Sequence, residues 1–333
     1  MSRRSRVTIT DIARRVGLTT ITVSRALNKP ELVKPATREK ILTAANELGY
    51  VPNAFARHLK SSESRLIGLV TASVDNPFYS EVIKAISREA KKNNYTIMLI
   101  DTDGSPELET VAIETLLSYQ VAGMILSPVS DDREYRPAYL KRLLEKQLPV
   151  VMLDRALDVE AFSRVVLDNR ACGRMIGRYL AKTPVRRVLA LSGPENSTIS
   201  RQRLEGFAEA YANAAVPLQL DVIPGDYTLE PAYRGITDYL ERHPPPEAVF
   251  GLNQLITLGA MKGLQDAGVS RERVKIVGID RLPYSEIFGV TVPCVAHDTY
   301  RAGHDAIQLL FDKIANPASA SREIIVQGRL IGF

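Results

Sequence analysis

The segment Thr10-Asp-Ile-Ala-Arg-Arg-Val-Gly-Leu-Thr-Thr-Ile-Thr-Val-Ser-Arg-Ala-Leu27 predicts two short helices joined by a tight turn. The first helix covers residues 11–16, and Thr10 is placed to cap it by accepting a hydrogen bond from a free backbone N–H. Gly17 follows, where the turn requires a positive φ that a Cβ would oppose. A second helix, residues 20–27, comes next. This helix–turn–helix unit decides how the rest of the chain is interpreted.

The two helices divide into an inward and an outward face. Thr19 is placed to cap the second helix. The predicted inward residues are Ile12, Ala13, Val16, Leu18, Val23, Ala26 and Leu27. The outward face of the second helix carries Thr20, Ile21, Ser24, Arg25 and Asn28. Short polar groups with one apolar tip and one guanidinium suit a helix in a DNA major groove. By itself the pattern also fits an ordinary surface helix pair, because such motifs are short and degenerate.

The following residues complete a small N-terminal head. Pro35 suits the first position of a third helix, which runs to about Leu48 and is terminated by Gly49. Its predicted apolar stripe consists of Ile41, Leu42, Ala45 and Leu48. Three helices with one apolar stripe each can close a core of about 50 residues.

Residues 53–60 form a candidate hinge helix between the head and the rest of the chain. Asn53 could cap it, Leu59 offers an apolar wedge, and Arg57 and Lys60 are basic. So short a helix is unstable alone in water, and a Ser-rich linker follows it. A segment that orders only against a partner and carries these side chains fits a minor-groove hinge.

The charge distribution supports this division. The chain has 333 residues, is 45% hydrophobic and 24% charged, and carries a net charge of +5. Residues 1–60 contain twelve Lys/Arg and four Asp/Glu, so the head is at +8 and the remainder at −3. We therefore expect only the head to meet a polyanion.

The composition also limits the compartment. No apolar run approaches the ~20 residues that span a bilayer, and the basic N-terminus is not followed by the apolar region of a secretory signal. Cys172 and Cys294 lie far apart without a CxxC partner, which favours buried thiols in a reducing environment. We expect a cytoplasmic protein that meets the nucleoid through DNA, without membrane contact.

Five motifs follow one another along the chain: Thr8-Ile-Thr-Asp-Ile-Ala13, Val23-Ser-Arg-Ala-Leu-Asn28, Thr37-Arg-Glu-Lys-Ile41, Leu48-Gly-Tyr-Val-Pro-Asn-Ala54 and Ile67-Gly-Leu-Val70. In order and spacing they resemble the lactose/galactose/purine repressor (LacI) family of bacterial transcriptional regulators. The similarity continues to the end of the chain.

The resemblance implies a set of DNA contacts. Leu59 matches the leucine that opens the central base step of a palindromic operator, and Thr20, Ile21 and Arg25 match the base-reading positions. Phosphate or groove contacts are implied for Thr10, Thr19, Thr22, Ser24, Asn28, Tyr50 and Asn53, and the candidate DNA-binding set is completed by Thr8, Arg57 and Lys60. Ile21 departs from relatives with a polar residue there, and we predict that it touches a thymine methyl group.

From residue 66 onward, short apolar runs alternate with longer amphipathic stretches. Predicted strands cover 67–72, 96–100, 123–126, 150–153, 164–167, 188–191, 219–223, 248–251, 275–278 and 323–327. Predicted helices cover 79–93, 106–119, 172–181, 203–214, 230–243, 255–267 and 299–315. Strand–helix alternation of this kind predicts parallel sheets covered on both faces.

Two rounds of this alternation predict two similar subdomains joined by a hinge. The fold class is therefore an all-α helix–turn–helix head, residues 1–61, on an α/β body, residues 62–333. Its two parallel-sheet subdomains are predicted at about 66–161 with 297–318, and at about 162–296 with 319–333. The resemblance implies that this body is like a periplasmic binding protein.

Ligands of such sheets bind beyond the carboxyl ends of the strands. The segments that follow the predicted strands contain aromatic rings, amides, carboxylates and an arginine. These residues are Asn76, Phe78, Asp154, Arg155, Tyr227, Asn253 and Asp280. A further arginine, Arg203, lies in the helix that follows a polar loop. Rings to stack on sugars and polar groups to pair hydroxyls indicate a carbohydrate-type site. The resemblance places Phe78, Arg203, Tyr227, Asn253 and Asp280 on effector positions, although relatives usually have Asn-Asp where this chain has Asn253-Gln254.

Arg155 and Arg203 could together hold an anionic group. Residues 154–158 also resemble the fructose- and sugar-phosphate-responsive members, so we expect a sugar, and favour a sugar phosphate or sugar acid. An equally weighted alternative is a structural salt bridge of Arg155 with Asp158 or Asp168. For the effector itself, a purine or nucleoside remains the other candidate.

Two other functions were weighed. The motifs GxSxG, GxxxxGK[ST], HExxH and CxxC do not occur, so we expect neither an enzyme nor a cofactor. His297-Asp298 and His304-Asp305 are seven residues apart, and on one helix they would share a face, but a metal site there is the weaker interpretation. A secreted sugar-binding protein would have no use for the basic head. The expected molecule is a homodimer on a palindromic operator of double-stranded DNA, regulating carbohydrate genes through a small sugar-type effector.

Overall fold

The computed structural model describes residues 7–51, 64–212 and 217–332. The chain divides into two compact units, Met1–Ser64 and Arg65–Phe333. They are called the head and the body below, and each is described by itself. Within the described ranges, no helix combines the length and apolar character needed to cross a membrane.

The described part of the head contains three α-helices around one small core. They are α1 Ile9–Val16, α2 Thr20–Asn28 and α3 Pro35–Glu47, with a 3₁₀ turn at Pro30–Leu32. Gly17 ends α1 with a φ of 70°, in the left-handed region, as predicted. The Thr19 side chain accepts a hydrogen bond from the backbone N–H of Thr22 and so caps α2, also as predicted. The core residues are Ile12, Ala13, Val16, Val23, Ala26, Ile41, Ala44 and Ala45.

Two local predictions for the head were wrong. The cap of α1 is Thr8 and not Thr10, and the Asp11 carboxylate accepts hydrogen bonds from the Thr8 backbone N–H at 2.9 Å and hydroxyl at 2.7 Å. An acidic side chain in the first turn stabilises the helix start, so α1 begins two residues earlier than expected. In α3, Leu42 is 42% exposed and Ala44 takes the core position.

The body alternates strands and helices from Leu66 to Ile331. In chain order the strands and helices are β1 Leu66–Thr71, α4 Pro77–Lys92, β2 Thr96–Asp101, α5 Pro106–Ser118, β3 Gly123–Leu126, α6 Tyr139–Glu145, β4 Val150–Leu153, β5 Ser163–Leu167, α7 Asn169–Leu180, β6 Arg187–Leu191, α8 Thr198–Tyr211, β7 Gln219–Ile223, α9 Leu229–Arg242, β8 Ala248–Gly251, α10 Gln254–Asp266, β9 Lys275–Ile279, β10 Cys294–His297, α11 Thr299–Ala315, β11 Glu323–Val326 and β12 Gly328–Ile331. The predicted strands and helices are all present, with ends shifted by a few residues.

These strands form two six-stranded sheets, in the orders β11-β5-β4-β3-β1-β2 and β12-β10-β9-β8-β6-β7. The first sheet is parallel throughout, and the second is parallel except for the pairing of β10 with β12. The short helix α6 and the strands β10 and β12 were not predicted, although β3, β4 and β8, which are equally short strands, were.

The chain passes between the two sheets three times: after β5, after β10 and after β11. The predicted boundaries at 161 and 319 assigned β5 and β11 to the second subdomain, whereas both strands lie in the first sheet. Their pairing explains the difference, since Glu323 to Val326 align with Arg164 to Leu167. The neighbour of a strand in a sheet depends on tertiary contacts and not on the position of the strand along the chain.

Helices α7 and α8 approach each other closely through glycines. A Cβ on Gly173 would lie 1.8 Å from the carbonyl oxygen of Arg203, and one on Gly206 would lie 2.0 Å from that of Arg170. Only residues without a side chain permit this separation. The close approach brings Asn169, at the start of α7, within 2.9 Å of the Arg203 guanidinium, and so helps to position a residue of the predicted site.

Candidate functional site

Several of the predicted DNA contacts of the head lie on α2. Thr20, Ile21, Arg25 and Asn28 are exposed, and Ile21 keeps 62% of its surface in solvent. Asn28 donates a hydrogen bond to the carbonyl oxygen of Ser24 at 2.9 Å, which holds its amide along the helix. This exposed isoleucine on a polar helix face is available for an apolar contact, such as one with a thymine methyl group.

The other predicted contacts of the head are less uniform. Thr10 is exposed, but Thr8 is engaged at the start of α1, and Thr19 and Thr22 share a hydrogen bond of 2.9 Å between their hydroxyls. Tyr50 packs half-buried against the core. The remaining predicted contacts lie outside the described residues: Asn53, Arg57, Leu59 and Lys60.

In the body, all eight predicted effector residues line one cavity. They are joined by three further residues, so that the lining comprises Asn76, Phe78, Tyr79, Asp154, Arg155, Leu167, Ile199, Arg203, Tyr227, Asn253 and Asp280. The cavity has a volume of about 30 Å³, which is enough to hold a water molecule but not a sugar. These side chains come from both sheets, so the cleft is almost closed around a small polar centre.

On the side of the first sheet, the buried Tyr79 forms a hydrogen-bonded pair with the half-buried Asp154. The Tyr79 hydroxyl donates to Asp154 Oδ2 at 2.9 Å and lies 2.7 Å from Ser127 Oγ. Burial raises the pKa of the Asp154 carboxyl, and the charges of Arg155 and Arg203 oppose that rise. Asp154 also has a φ of 65°, a left-handed conformation that costs energy for a residue with a side chain.

Arg155 spans from the first sheet to the ring of Tyr227. Its guanidinium carbon lies 5.0 Å from the ring centroid, and its Nη1 donates to the carbonyl oxygen of Val129 at 2.6 Å. No ion pair with Asp158 or Asp168 forms among the described residues, and the Asp168 carboxylate instead caps α7. The proposed structural salt bridge was therefore wrong: Arg155 holds a loop and covers an aromatic face.

On the side of the second sheet, Arg203 and Asn253 are fixed by neighbouring backbone. Arg203 is 3% exposed, and it donates to Asn169 Oδ1 and to the carbonyl oxygen of Leu252. Asn253 caps α10 and donates to the carbonyl oxygen of Tyr227 at 2.9 Å. Gln254, the residue that departs from the family pattern, has its amide 2.7 Å from Asn76 Oδ1, and so connects the two sides of the cleft.

Asp280 follows β9 and is held from behind by a histidine. Its Oδ1 lies 3.0 Å from His297 Nδ1, and the His297 side chain is fully buried. His297 ends β10 and His304 lies in α11, so they do not share a helix face as the metal alternative required. Among the described residues, no group of three or more His, Cys, Asp or Glu side chains is arranged to hold a metal ion.

A set of hydrogen bonds between the two halves of the body, called the clasp below, was not predicted from the sequence. Asp131 Oδ2, in the loop after β3, accepts hydrogen bonds from the Ile199 N–H at 2.6 Å and the Ser197 hydroxyl at 3.1 Å. Beside it, Asp132 accepts from the Asn196 amide at 2.6 Å. A carboxylate at the start of a helix is a favourable electrostatic contact. The segment after β3 lies at a strand's carboxyl end, so the same rule that found the other residues could have found it.

The loop that carries this clasp is anchored by a buried glutamate. Glu109 accepts hydrogen bonds from the Val129 N–H at 2.6 Å, the Tyr139 hydroxyl at 2.6 Å and the Tyr135 hydroxyl at 2.8 Å. Burial raises the pKa of Glu109, and these hydrogen bonds oppose the rise. In the sequence, Glu109 is an acidic residue in the first turn of α5, and this pattern does not distinguish a buried glutamate from a solvent-exposed one.

Two larger cavities adjoin the central one. The first, of about 660 Å³, shares Phe78 and Asp280 with it, and the second, of about 700 Å³, shares Asp154 and Ile199. A site for a small molecule needs roughly 300 Å³ or more. Since both neighbouring cavities reach the same centre, opening the cleft along either side would create that space.

Two family descriptions match the chain. "Bacterial regulatory proteins, lacI family" matches residues 8–53, and "Periplasmic binding proteins and sugar binding domain of LacI family" matches residues 64–282. Among curated relatives, the HTH-type transcriptional repressor PurR of Proteus mirabilis is 30% identical over 329 residues, which cover 97% of this chain and 95% of the relative.

Solved structures give a similar result. The lac repressor dimer bound to operator and the anti-inducer ONPF superimposes with a TM-score of 0.81 at 23% identity, covering 98% of both chains. A complex of the transcriptional regulator CelR with cellobiose has a TM-score of 0.71 at 27% identity, again covering 98% of both chains.

Proposed function

Because the chain belongs to the LacI family and is a DNA-binding transcriptional repressor with an effector-binding domain, we propose that its effector is a small sugar-type molecule bound in the central cavity of the body. The supporting observation is the balance of polar groups in that cavity. Two carboxylates, Asp154 and Asp280, face two guanidinium groups, Arg155 and Arg203, with the Asn253 amide beside them. Acceptors and donors placed on all sides can pair the hydroxyls of a polyhydroxylated ligand.

The anionic alternatives, a sugar phosphate or a sugar acid, are favoured by the two arginines. Each guanidinium uses one Nη to hold a backbone carbonyl, and the Nη2 of neither makes a hydrogen bond to another described residue. These two Nη2 groups can donate to a phosphate or carboxylate. A purine or nucleoside is the second candidate, since the relatives at 28–30% identity are repressors named PurR and Phe78, Tyr79 and Tyr227 offer aromatic rings. Against a stacked purine, one face of Tyr227 is already covered by Arg155.

Calorimetric titration of the full chain tests the effector class. The panel contains ribose, fructose and cellobiose, then gluconate and fructose 1-phosphate, then adenine, guanine and hypoxanthine. We expect binding within the carbohydrate groups and strongest binding for an anionic member. Binding of purines alone would overturn the proposal.

A matched pair of variants ties the binding to this cavity. Asp280→Asn removes a carboxylate that lines it, and we expect at least a tenfold loss of affinity. Asp226→Asn removes an exposed carboxylate that only caps its own loop by accepting from the Thr228 N–H, and we expect no change. Equal effects of the two variants would place the ligand elsewhere.

For the head, we propose that a homodimer binds a palindromic operator, with the exposed face of α2 in the major groove and residues 53–60 at the minor groove. Three large apolar side chains of the body support a second copy as partner: Tyr284, Ile287 and Phe288 are 74%, 76% and 77% exposed. Sedimentation equilibrium should show a dimer, and Ile287→Asp with Phe288→Asp should give a monomer with weakened operator binding. A dimer that survives both changes would assign the interface to another surface.

We propose that effector binding in the body is coupled to DNA affinity, because the cavity is nearly closed. A ligand that enters must alter the spacing of the two halves of the body, and it can shift DNA affinity only by its differential affinity for the two arrangements. Selection of operator sequences from a random duplex pool, with and without the best panel ligand, measures this coupling. Identical selection and identical affinity in both conditions would contradict it.

A further inference from the structure

Three side chains from three elements form a buried row behind the central cavity. Asp280 follows β9, His297 ends β10 and Cys172 lies in the first turn of α7. His297 Nδ1 lies 3.0 Å from Asp280 Oδ1, and His297 Nε2 lies 3.1 Å from Cys172 Sγ. The His297 side chain and Cys172 are fully buried, whereas Asp280 is 12% exposed and lines the cavity. Only one end of the row therefore faces a ligand.

The imidazole of His297 packs against β12 and α7. β12 pairs with β10 so that Gly328 is opposite His297. A Cβ at position 328 would lie 3.2 Å from His297 Nε2 and 3.3 Å from Cys172 Sγ, so the glycine backbone covers the ring and the thiol together. With both nitrogens occupied and the ring covered, His297 can hold Asp280 in a single orientation.

We propose that His297 is a positioning residue of the effector site, which orients the Asp280 carboxylate as a hydrogen-bond acceptor for a hydroxyl or N–H group of the ligand, and that Cys172 in turn holds His297. The inference rests on the proposed function of the cavity. It assigns part of the specificity to residues that do not touch the ligand. A ligand whose group next to Asp280 cannot donate would leave a buried carboxylate unpaired, which is costly.

The electrostatics are consistent with this arrangement. Burial lowers the pKa of His297, but the hydrogen bonds and charge attraction of Asp280 and Cys172 outweigh it and raise the pKa to about 9. At neutral pH the ring is therefore a cation that donates from both nitrogens. Other ionisable groups near this row include Asp154, Arg155, Arg203, Arg281 and Cys294.

A Cys–His–Asp row is also the arrangement of some nucleophilic enzymes. That role does not fit here, because Cys172 has no exposed surface on which a substrate could be attacked. The order of the row is also reversed: the carboxylate and not the sulfur faces the cavity. The row is suited to orienting an acceptor.

The test uses the full chain with four variants. His297→Leu keeps the side-chain volume and removes both hydrogen-bond donors, whereas His297→Asn keeps a donor near the position of Nδ1. Cys172→Ser keeps the hydrogen bond to His297 Nε2, and Cys172→Ala removes it. For the panel compound that binds the wild-type chain best, we expect His297→Leu to lose roughly 10- to 100-fold in affinity. The single variants His297→Asn and Cys172→Ser should each keep most of the wild-type affinity. Asp226→Asn, the exposed carboxylate already used as a control for the cavity, should bind as wild type.

A second readout separates positioning from mere packing. Deoxy analogues of the bound compound identify the hydroxyl that pairs with Asp280, because its removal weakens binding to the wild-type chain. The same removal should cost little in His297→Leu, whereas a purely structural role predicts an undiminished loss. Equal losses in both proteins, or failure of His297→Asn to recover binding in a chain that still binds DNA, would overturn the inference.

Nitrogen NMR of the histidine rings tests the row without a ligand. We expect the His297 ring in the wild-type chain to carry protons on both nitrogens at pH 7, with slow exchange at Nδ1, and Cys172→Ala to alter Nε2. A ring that titrates near 6.5 with freely exchanging protons would show that Asp280 is not held. A chain that binds no panel compound would contradict the proposed effector, and the ring spectra would still decide whether the row exists.

Discussion

The outer face of α2 in the head and the central cavity of the body are both lined by predicted ligand contacts, but they are built differently. On α2 the contacts fall within residues 20–28, on one exposed helix. In the cavity they come from positions 76 to 280, which follow strands of two different sheets. The first surface is assembled by local structure, and the second exists only when both sheets have formed.

This difference predicts how the two regions respond to change. Residues of α2 such as Ile21 and Arg25 are exposed and lie outside the described core of the head, so substitutions there should alter binding alone. Residues of the cavity, such as Arg203 and Asp154, also hold backbone or neighbouring side chains, so substitutions there should alter binding and stability together. Four experiments examine the contrast, in order of decreasing expected effect.

The largest effect is expected at the glycine crossing of the body. Gly173→Ala places a Cβ within 1.8 Å of the Arg203 carbonyl oxygen, so α7 and α8 must separate and Arg203 must move. We expect a loss of about 3 kcal/mol in the free energy of unfolding, measured with urea, together with loss of effector binding. Gly225→Ala is the control, since its Cβ would meet atoms no nearer than 3.4 Å. Similar losses for the two variants would contradict the crossing argument.

The second effect concerns the pH dependence of the body. The pKa of His297 is raised to about 9 from 6.5, so the folded state holds this proton more tightly than the unfolded chain. The resulting stabilisation is complete below pH 6.5 and is lost as pH rises through about 9, a change of roughly 3 kcal/mol at most. Unfolding by urea between pH 6 and 9 should show this decline, and His297→Asn should flatten it. Burial raises the pKa of Cys294 to about 11, so its contribution changes above this window. An equal decline in the variant would assign the effect to another group.

The third effect concerns binding by the head. Arg25→Ala removes an exposed guanidinium from α2, and we expect operator affinity to fall by about 1–3 kcal/mol with no change in the unfolding midpoint. The comparison variant is Arg234→Ala, which removes an exposed charge from α9 in the body and should leave operator affinity unchanged. Fluorescence anisotropy at one fixed salt concentration measures both. Parallel losses would indicate a general charge effect rather than base reading.

The smallest effect tests local structure in the head. Thr19→Ala removes the hydroxyl that accepts from the Thr22 N–H at 3.2 Å, and we expect the head to lose about 1 kcal/mol of stability. Thr20→Ala, one residue later and exposed, should change stability little. Thermal unfolding followed by circular dichroism would detect the difference. If Thr20→Ala destabilised the head as much as Thr19→Ala, the cap would not be the cause.

Local patterns were sufficient for much of the molecule. The positive φ of Gly17, the cap at Thr19 and the proline start of α3 follow from backbone sterics and unpaired N–H groups within a few residues. The convergence of eight side chains could be predicted from the rule that ligands bind beyond the carboxyl ends of parallel strands. Errors arose where two local signals competed, as at Thr8 and Thr10.

The amino-acid sequence by itself determined the basic helix–turn–helix head, the alternating α/β body and the identity of the cavity residues, because each depends on spacing and residue chemistry along the chain. Tertiary structure alone decided that β5 and β11 pair with each other in the first sheet, that Asp131 clasps the start of α8, and that Arg155 covers Tyr227. It also decided that Asp280, His297 and Cys172 lie in one buried row. These contacts join residues up to about 160 positions apart, and no local pattern specifies a hydrogen bond whose partner is brought near only by the packing of two sheets.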